Sequence, residues 1–442
     1  MATRASKEVP FESLMEQLDQ TWIEQALEQT GTASIRTRRL PAEQVVWLVI
    51  GLALYRDETI AGIVDKLGLA LPGERGLSMA PSSIPAARAR LGPEPMKWLF
   101  ETCARKWALE SAGRHRWRGL QLFGIDGTTM RAPDSAENRG HFGGHSGGAD
   151  RGQSGYPLVR AATLMALRSH LLAGFRFGPC ATSEQELARE LWPLVPDDSV
   201  TIVDRAFLSP GFLVPYAASG RNRHWMTRAK KNTQWRVLRR LGRGDHLVEM
   251  ETSFAALKAD PTLPRQWLAR AVRYQRPGFK PQTILTSLTD AATYPASELA
   301  GLYHERWELE LGFDEMKTVM LEREEALRSK SPRGIAQELF GLVLSYNLVR
   351  VEMERTAALA GLPPNRISFI ASVRCIKEFW FWANLTSLGS IPKRLRKMRL
   401  DLLRFILPPR RSERLFRREV KIKMSKFPRK RTAATHPGMA LN

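Results

Sequence analysis

Three carboxylates far apart in the chain, Asp126, Asp204 and Glu310, stand where metal-dependent phosphoryl chemistry would need them. Asp126 closes the apolar run Leu120-Gln-Leu-Phe-Gly-Ile-Asp126, and Gly127-Thr128-Thr129 follows. Asp204 closes a second run, Val200-Thr-Ile-Val-Asp204. Glu310 lies in LYHERWELELGFDEMKTVM, residues 302–320, which reads as one helix. At about 100° per residue, Tyr303, Arg306, Glu310 and Lys317 share an arc of about 60°. The apolar stripe Leu302, Leu309, Phe313, Met316 and Met320 runs beside it, so one edge is buried and the next is offered to an anion. Three carboxylates brought together repel one another unless a divalent ion sits among them. Magnesium or manganese, hard and oxygen-seeking, suits such a site. Two such ions stabilise the attacking and leaving oxygens of an in-line phosphodiester displacement. Plainer readings exist: Arg306 and Glu310 as an ordinary i,i+4 pair on a solvated face, and each Asp as a turn cap. Asp134, Glu137, Glu184, Glu190, Asp197 and Asp198 are rival carboxylates in loops or on the first helix of this region, and rank lower.

The elements that must position these groups are legible in outline. Residues 11–110 read as helices, including a buried one through Val45–Leu54 after Leu40-Pro41 and a short one over Thr59–Leu67. Pro81-Ser82-Ser83 introduces a segment bearing Arg88 and Arg90, either the second helix of a helix-turn-helix-like reader or part of a plain bundle. From Gly119 the order is strand, strand, strand, helix, strand, with Ser183 capping the helix and Glu186 completing a capping box. In a mixed α/β sheet the first and last of these strands lie parallel and adjacent, which brings Asp126 to Asp204. The Gly-rich loop 140–155 lacks a GK[ST] ending, which argues against a nucleotide P-loop. Its His141 and His145 have no Cys or further His nearby to make a zinc site, so a mobile loop near the substrate is preferred. Residues 221–290 read as short strands joined by basic turns, a β-rich insertion ahead of the helix carrying Glu310. Apolar helices over Ile335–Leu359 and Val373–Leu385 complete the core. Gly301 and Gly312 fall on one side of the Glu310 helix, opposite its polar arc, which suggests close packing against another backbone.

Composition narrows the partner. The 442 residues carry 67 Lys and Arg against 45 Asp and Glu, a formal charge of +22. Such an excess most often meets a polyanion, because bound phosphates release their counterions; ribosome association and solubility are the alternatives. Residues 391–431 hold 17 basic and 3 acidic residues, with apolar residues interleaved as in basic helices. Cys103, Cys180 and Cys375 form no CxxC pair and read as reduced core thiols. No signal peptide is evident, and the longest apolar run, Val45–Tyr55, falls short of the roughly 20 residues of a membrane span. A soluble, cytoplasmic protein is expected.

With these residues in hand, the chain resembles bacterial DDE transposases of the insertion-sequence-4 family. Their Y-x2-R-x3-E-x6-K signature is matched without a gap by Tyr303, Arg306, Glu310 and Lys317, and the Asp126 and Asp204 blocks resemble the first two catalytic blocks. The resemblance spans roughly residues 10 to 350, with residues 36–69 resembling the family's N-terminal region. It implies a ribonuclease-H-like α/β core with a β-strand insertion, an N-terminal helical DNA-binding domain and a C-terminal basic helical region. The corresponding boundaries are 1–112 for the N-terminal domain, 113–220 and 291–360 for the two parts of the core, 221–290 for the insertion and 361–442 for the basic region. Asp126, Asp204 and Glu310 would hold two Mg2+ ions, with Mn2+ as a substitute, while Tyr303, Arg306 and Lys317 grip DNA phosphates. The implied partners are double-stranded DNA, as terminal inverted repeats and target, and a second protomer; no membrane is involved. The implied reaction is cut-and-paste transposition, in related members through a hairpin that flips a base onto an aromatic, for which Trp225, Trp267 and Trp307 are candidates. A ribonuclease-H-like nuclease without strand transfer and a noncatalytic repressor derived from a transposase are the competing readings.

Overall fold

Two apolar strands meet as the order of elements predicts. In the computed structural model, β1 (Gln121–Arg131) runs parallel to β4 (Ser199–Val203), with Ile125 opposite Val203. Described are residues 18–33, 40–69, 80, 82–144, 154–276, 279–322, 326–384 and 388–408; His145, the centre of the Gly-rich loop and the basic tail beyond residue 408 lie outside them. β2 (Leu158–Ala166) adds antiparallel to β1, β3 (Leu172–Pro179) adds antiparallel to β2, and β5 (Arg223–Arg228) adds parallel to β4. The order β3-β2-β1-β4-β5, three antiparallel strands followed by two parallel ones, is the ribonuclease-H-like sheet.

The sheet continues through β9 (Gln282–Thr286), β8 (Gln266–Tyr274), β7 (Asp245–Glu251) and β6 (Arg236–Gly242), making nine strands. The strand near Trp225, expected within the insertion, is hydrogen-bonded to β4. β6 was expected as a basic turn but is an edge strand, its Arg236, Arg239 and Arg240 facing solvent; charge on an exposed edge discourages pairing with another chain. The insertion has a polar anchor of its own. Arg270, fully buried, donates to both oxygens of Asp245 (2.8 and 2.6 Å) and to the carbonyls of Leu288 and Tyr294.

The 28-residue helix Pro332–Leu359 is the axis of the helical layer, with Ser331 as its N-cap. Helix Ala42–Leu54 is apolar almost all round and packs on it so closely that a Cβ at Gly341 would lie 2.6 Å from Val49 Cγ1 and 3.0 Å from its carbonyl. Helix Glu94–Arg114 packs on the same axis and on β3. Helix Ser83–Leu91 forms; the guanidinium of its Arg88 bonds to Gln337 (3.0 Å) and Ser329 (3.3 Å) of the core, while Arg90 is exposed. Helices Phe369–Asn384 and Ile391–Leu402 close the far side. No described helix is long and apolar enough to cross a membrane.

Candidate active site

Asp126 sits mid-strand in β1 rather than at its end, because Gly127-Thr128-Thr129 continue the ladder with β2. Asp204 follows the last residue of β4 and caps a short 3-10 turn, accepting from the amide of Ala206 (3.0 Å). The parallel register therefore sets the two carboxylates side by side above the sheet.

The segment carrying Glu310 is not the single regular helix expected. Helix Ala296–His304 breaks at 305–306 and resumes as Trp307–Asp314, and residues Glu315–Met320 widen into a π-helix. At the break the bonds tighten to i→i+3 spacing: Arg306 to Tyr303 (3.1 Å), Glu308 to Glu305 and Leu309 to Arg306 (both 3.0 Å). In the last turn Leu321 bonds back to Met316, an i→i+5 step. A fixed 100° wheel fails at both irregularities. Tyr303, Arg306 and Glu310 still face one region, whereas Lys317 lies in the π-helix, almost wholly buried.

Polar anchors behind the helix coincide with these irregularities. Glu305, at the break, takes a two-pronged contact from Arg168 (3.0 and 2.8 Å). Glu308 meets His170 Nε2 (2.7 Å), from the same β2–β3 turn. Glu315, where the π-turn begins, accepts from Tyr346 (2.8 Å) and pairs with buried Arg350; burial pushes its carboxyl up, but Arg350 and His170 hold it down at about 2. Between these anchors the helix lies directly on β1: a Cβ at Gly124 would be 2.6 Å from Leu309 Cδ1, so any larger residue here, two positions from Asp126, would push Leu309 and Leu167 aside. Gly312 is also buried, but against the side chains of Met165 and Tyr346 rather than a backbone, and Gly301 meets nothing within 4 Å. The pairing expected of the two glycines is absent.

On the front face the three carboxylates converge on one side chain. The Arg306 guanidinium lies 2.7 Å from Glu310 Oε1, 3.8 Å from Asp204 Oδ2 and 4.0 Å from Asp126 Oδ2. They surround it rather than closing on a common point; among the described residues no three His, Cys, Asp or Glu side chains form a ready metal cage. Burial raises the Asp126 carboxyl to about 6, with Asp204 and Glu184 adding to the rise while the Gly127 amide and Arg306 oppose it. Burial alone would lower the Arg306 pKa, but its bond to Glu310 carries the net shift upward. Glu184, ranked low from sequence, packs on Gly127 and pairs with Arg160 (3.4 Å), making a fourth carboxylate beside Asp126. Its position on an ordinary capped helix gave no signal.

Next to this cluster is a cleft of about 250 Å³ lined by Asp204, Tyr303, Arg306 and Trp307 from the core and by Arg228, Tyr274, Arg276, Phe279 and Lys280 from β5 and the insertion. Burial pushes the Tyr303 hydroxyl up to about 12, so it stays a donor, and brings His304 down to about 4, so its imidazole is neutral at pH 7. Lys317 does not line this cleft. An acidic cluster beside a cationic, aromatic-walled trough suits a phosphodiester.

Residues 117–348 match the family described as Transposase DDE domain, and residues 8–101 match Insertion element 4 transposase N-terminal. The chain belongs to the insertion element 4 family of DDE transposases. It is 39% identical over 420 residues to Transposase InsG for insertion sequence element IS4 of Escherichia coli (strain K12), covering 95% of this chain and 94% of that one. It is 34% identical over 271 residues to Putative transposase InsZ of the same organism, covering 59% of this chain and 88% of that one. Among solved structures, a piggyBac transposase synaptic complex with hairpin DNA aligns over 91% of this chain and 85% of its own at 11% identity and a TM-score of 0.38. The transposase is thus an insertion-sequence enzyme whose domain class is divalent-metal dependent.

Proposed function

We propose that this transposase binds the terminal inverted repeats of its insertion sequence, hydrolyses the phosphodiester at each end, and joins the freed 3′-hydroxyls to target DNA. Asp126, Asp204 and Glu310 are the ligands in this reading. The observation that carries it is the convergence of those three side chains, from two adjacent strands and one helix, on a single cationic centre. That an organic cation already stands among three hard oxygen donors indicates that the site suits cations, and the donor set suits Mg2+ or Mn2+. When bound, two such ions would polarise the phosphodiester and stabilise the attacking and leaving oxygens.

The chain's own residues bind and orient. Arg306 has the fork to grip a phosphate and Tyr303 donates a hydroxyl from the cleft wall, whereas Lys317, almost wholly buried in the π-helix and outside the cleft, is given no contact with the strand. Arg228, Arg276 and Lys280 extend the cationic wall along the strand. In the hairpin step the 3′-hydroxyl attacks the opposite strand and a base leaves the stack. Trp225 and Trp267 are buried and packed together with ring centres 5.7 Å apart, whereas Trp307 is 53% exposed at the cleft, so Trp307 is the aromatic we assign to the flipped base. Repeat binding by residues 1–112, action as a homodimer on paired ends and a place at the nucleoid complete this reading, carried over from the family resemblance.

The test is cleavage of a duplex carrying the element's terminal repeat in Mg2+. Asp126→Ala, Asp204→Ala and Glu310→Gln should each abolish nicking while leaving duplex binding in chelator intact, and wild type should join the cut 3′ ends to a target plasmid. Nicking retained by all three variants would refute the assignment, and cutting without joining would identify a nuclease.

A further inference from the structure

A guanidinium at the centre of an acidic triad poses a problem for loading that triad. Arg306 is 14% exposed at its side chain and reaches all three carboxylates at once. It cannot be deprotonated to make way for another cation. A divalent ion entering among Asp126, Asp204 and Glu310 would meet a fixed positive charge at bonding distance, so one of the two must leave.

Room for it lies in the neighbouring cleft, whose wall Arg306 already shares with Trp307, the indole lying 5.7 Å from its guanidinium carbon. Arg228, Arg276 and Lys280 line that cleft too. Moving a fourth cation among them is unfavourable until an anion arrives. A DNA phosphate in the cleft supplies it.

We infer that Arg306 is the resident counter-ion of the metal-free triad, and that its transfer from carboxylates to a DNA phosphate couples divalent-ion binding to DNA binding. In the free protein the guanidinium cancels carboxylate repulsion and keeps ion affinity low. On DNA the same side chain is drawn outward and the triad opens to metal. By linkage, metal tightens DNA binding by the factor with which DNA tightens metal binding. The inference rests on the proposed assignment of the triad as the metal site, and adds a second role to a residue given only a phosphate-gripping one.

The experiment measures Mn2+ binding to the full chain by the electron paramagnetic resonance of the free ion. The probes are no DNA and a precleaved terminal-repeat duplex, which has no flanking strand to hydrolyse. Without DNA, Arg306→Gln should bind Mn2+ more tightly than wild type, by roughly 5- to 150-fold, the usual range of such couplings. The duplex should tighten Mn2+ binding to wild type by a similar factor and leave that of Arg306→Gln nearly unchanged. Arg306→Lys, which keeps the charge but loses the fork spanning the carboxylates, should tighten binding by a smaller factor and serves if the glutamine variant fails to fold. Equal or weaker Mn2+ binding by the Arg306 variants overturns the counter-ion role while leaving the metal site standing. If Asp204→Asn leaves Mn2+ binding to the Arg306→Gln protein unchanged, the triad is not the metal site and both readings fall.

Discussion

Replacing Asp126 by Asn should make the metal-free transposase more stable while destroying its activity. The side chain is mostly buried, and that burial, with Asp204 and Glu184 nearby, raises its carboxyl from 3.8 to about 6. At about 1.4 kcal/mol per pH unit, holding it ionised at neutral pH costs the folded protein at most about 3 kcal/mol. The amide side chain keeps the oxygen that accepts from the Gly127 amide (2.8 Å) and carries no charge, so a gain of about 1–3 kcal/mol is expected. The sign follows from linkage. Between the unfolded and folded pKa values the folded state holds the extra proton, so wild-type stability falls as pH rises from 3.8 through about 6. The advantage of the Asp126→Asn variant over wild type should be complete above about pH 6 and vanish near pH 3.8. Thermal or urea unfolding in chelator, at a pH about one unit above that window and at its acid edge, measures the difference, and only Mg2+ concentrated enough to displace Arg306 should raise the melting temperature, and that of wild type alone. A variant less stable than wild type on the alkaline side, or an advantage equal on both sides, would refute the reasoning.

Other consequences are local. Arg270→Met leaves Asp245 buried without its partner and should destabilise the protein by about 3–5 kcal/mol, read by chemical unfolding, whereas the double change with Asp245→Leu should recover much of the loss. Gly124→Ala drives a methyl into Leu309 beside Glu310; a loss of about 1–3 kcal/mol is expected, with end cleavage falling further than in a distant variant of equal stability. Trp307→Ala should leave the first nick intact and slow hairpin formation, separable on denaturing gels; equal slowing of both steps would remove its stacking role.

Much of the architecture was written in local pattern. Apolar runs ending on Asp126 and Asp204, with a capped helix between, oblige two parallel neighbours, because a right-handed crossover returns the chain beside its first strand. The apolar face of Leu302, Leu309, Phe313 and Met316 likewise set which edge of the Glu310 segment is buried. Spacing of this kind acts within a few residues of the chain, so sequence can express it. What sequence could not express is where each charge finds its counterpart. Arg168 and His170 seize Glu305 and Glu308 from 137 and 138 residues away, Arg350 takes Glu315, and the helix breaks at the first of these anchors and widens from the last. Arg88, legible only as a free cation, is consumed by Gln337 of the core. Arg306 looked like half of an i,i+4 pair, which it is, but two more carboxylates reach it only because β1 and β4 lie beneath the helix. Side-chain types and the apolar faces were legible in the sequence alone; the face of Lys317 and the partners of the charges were decided by folding, since electrostatic pairing depends on distance in space and not along the chain.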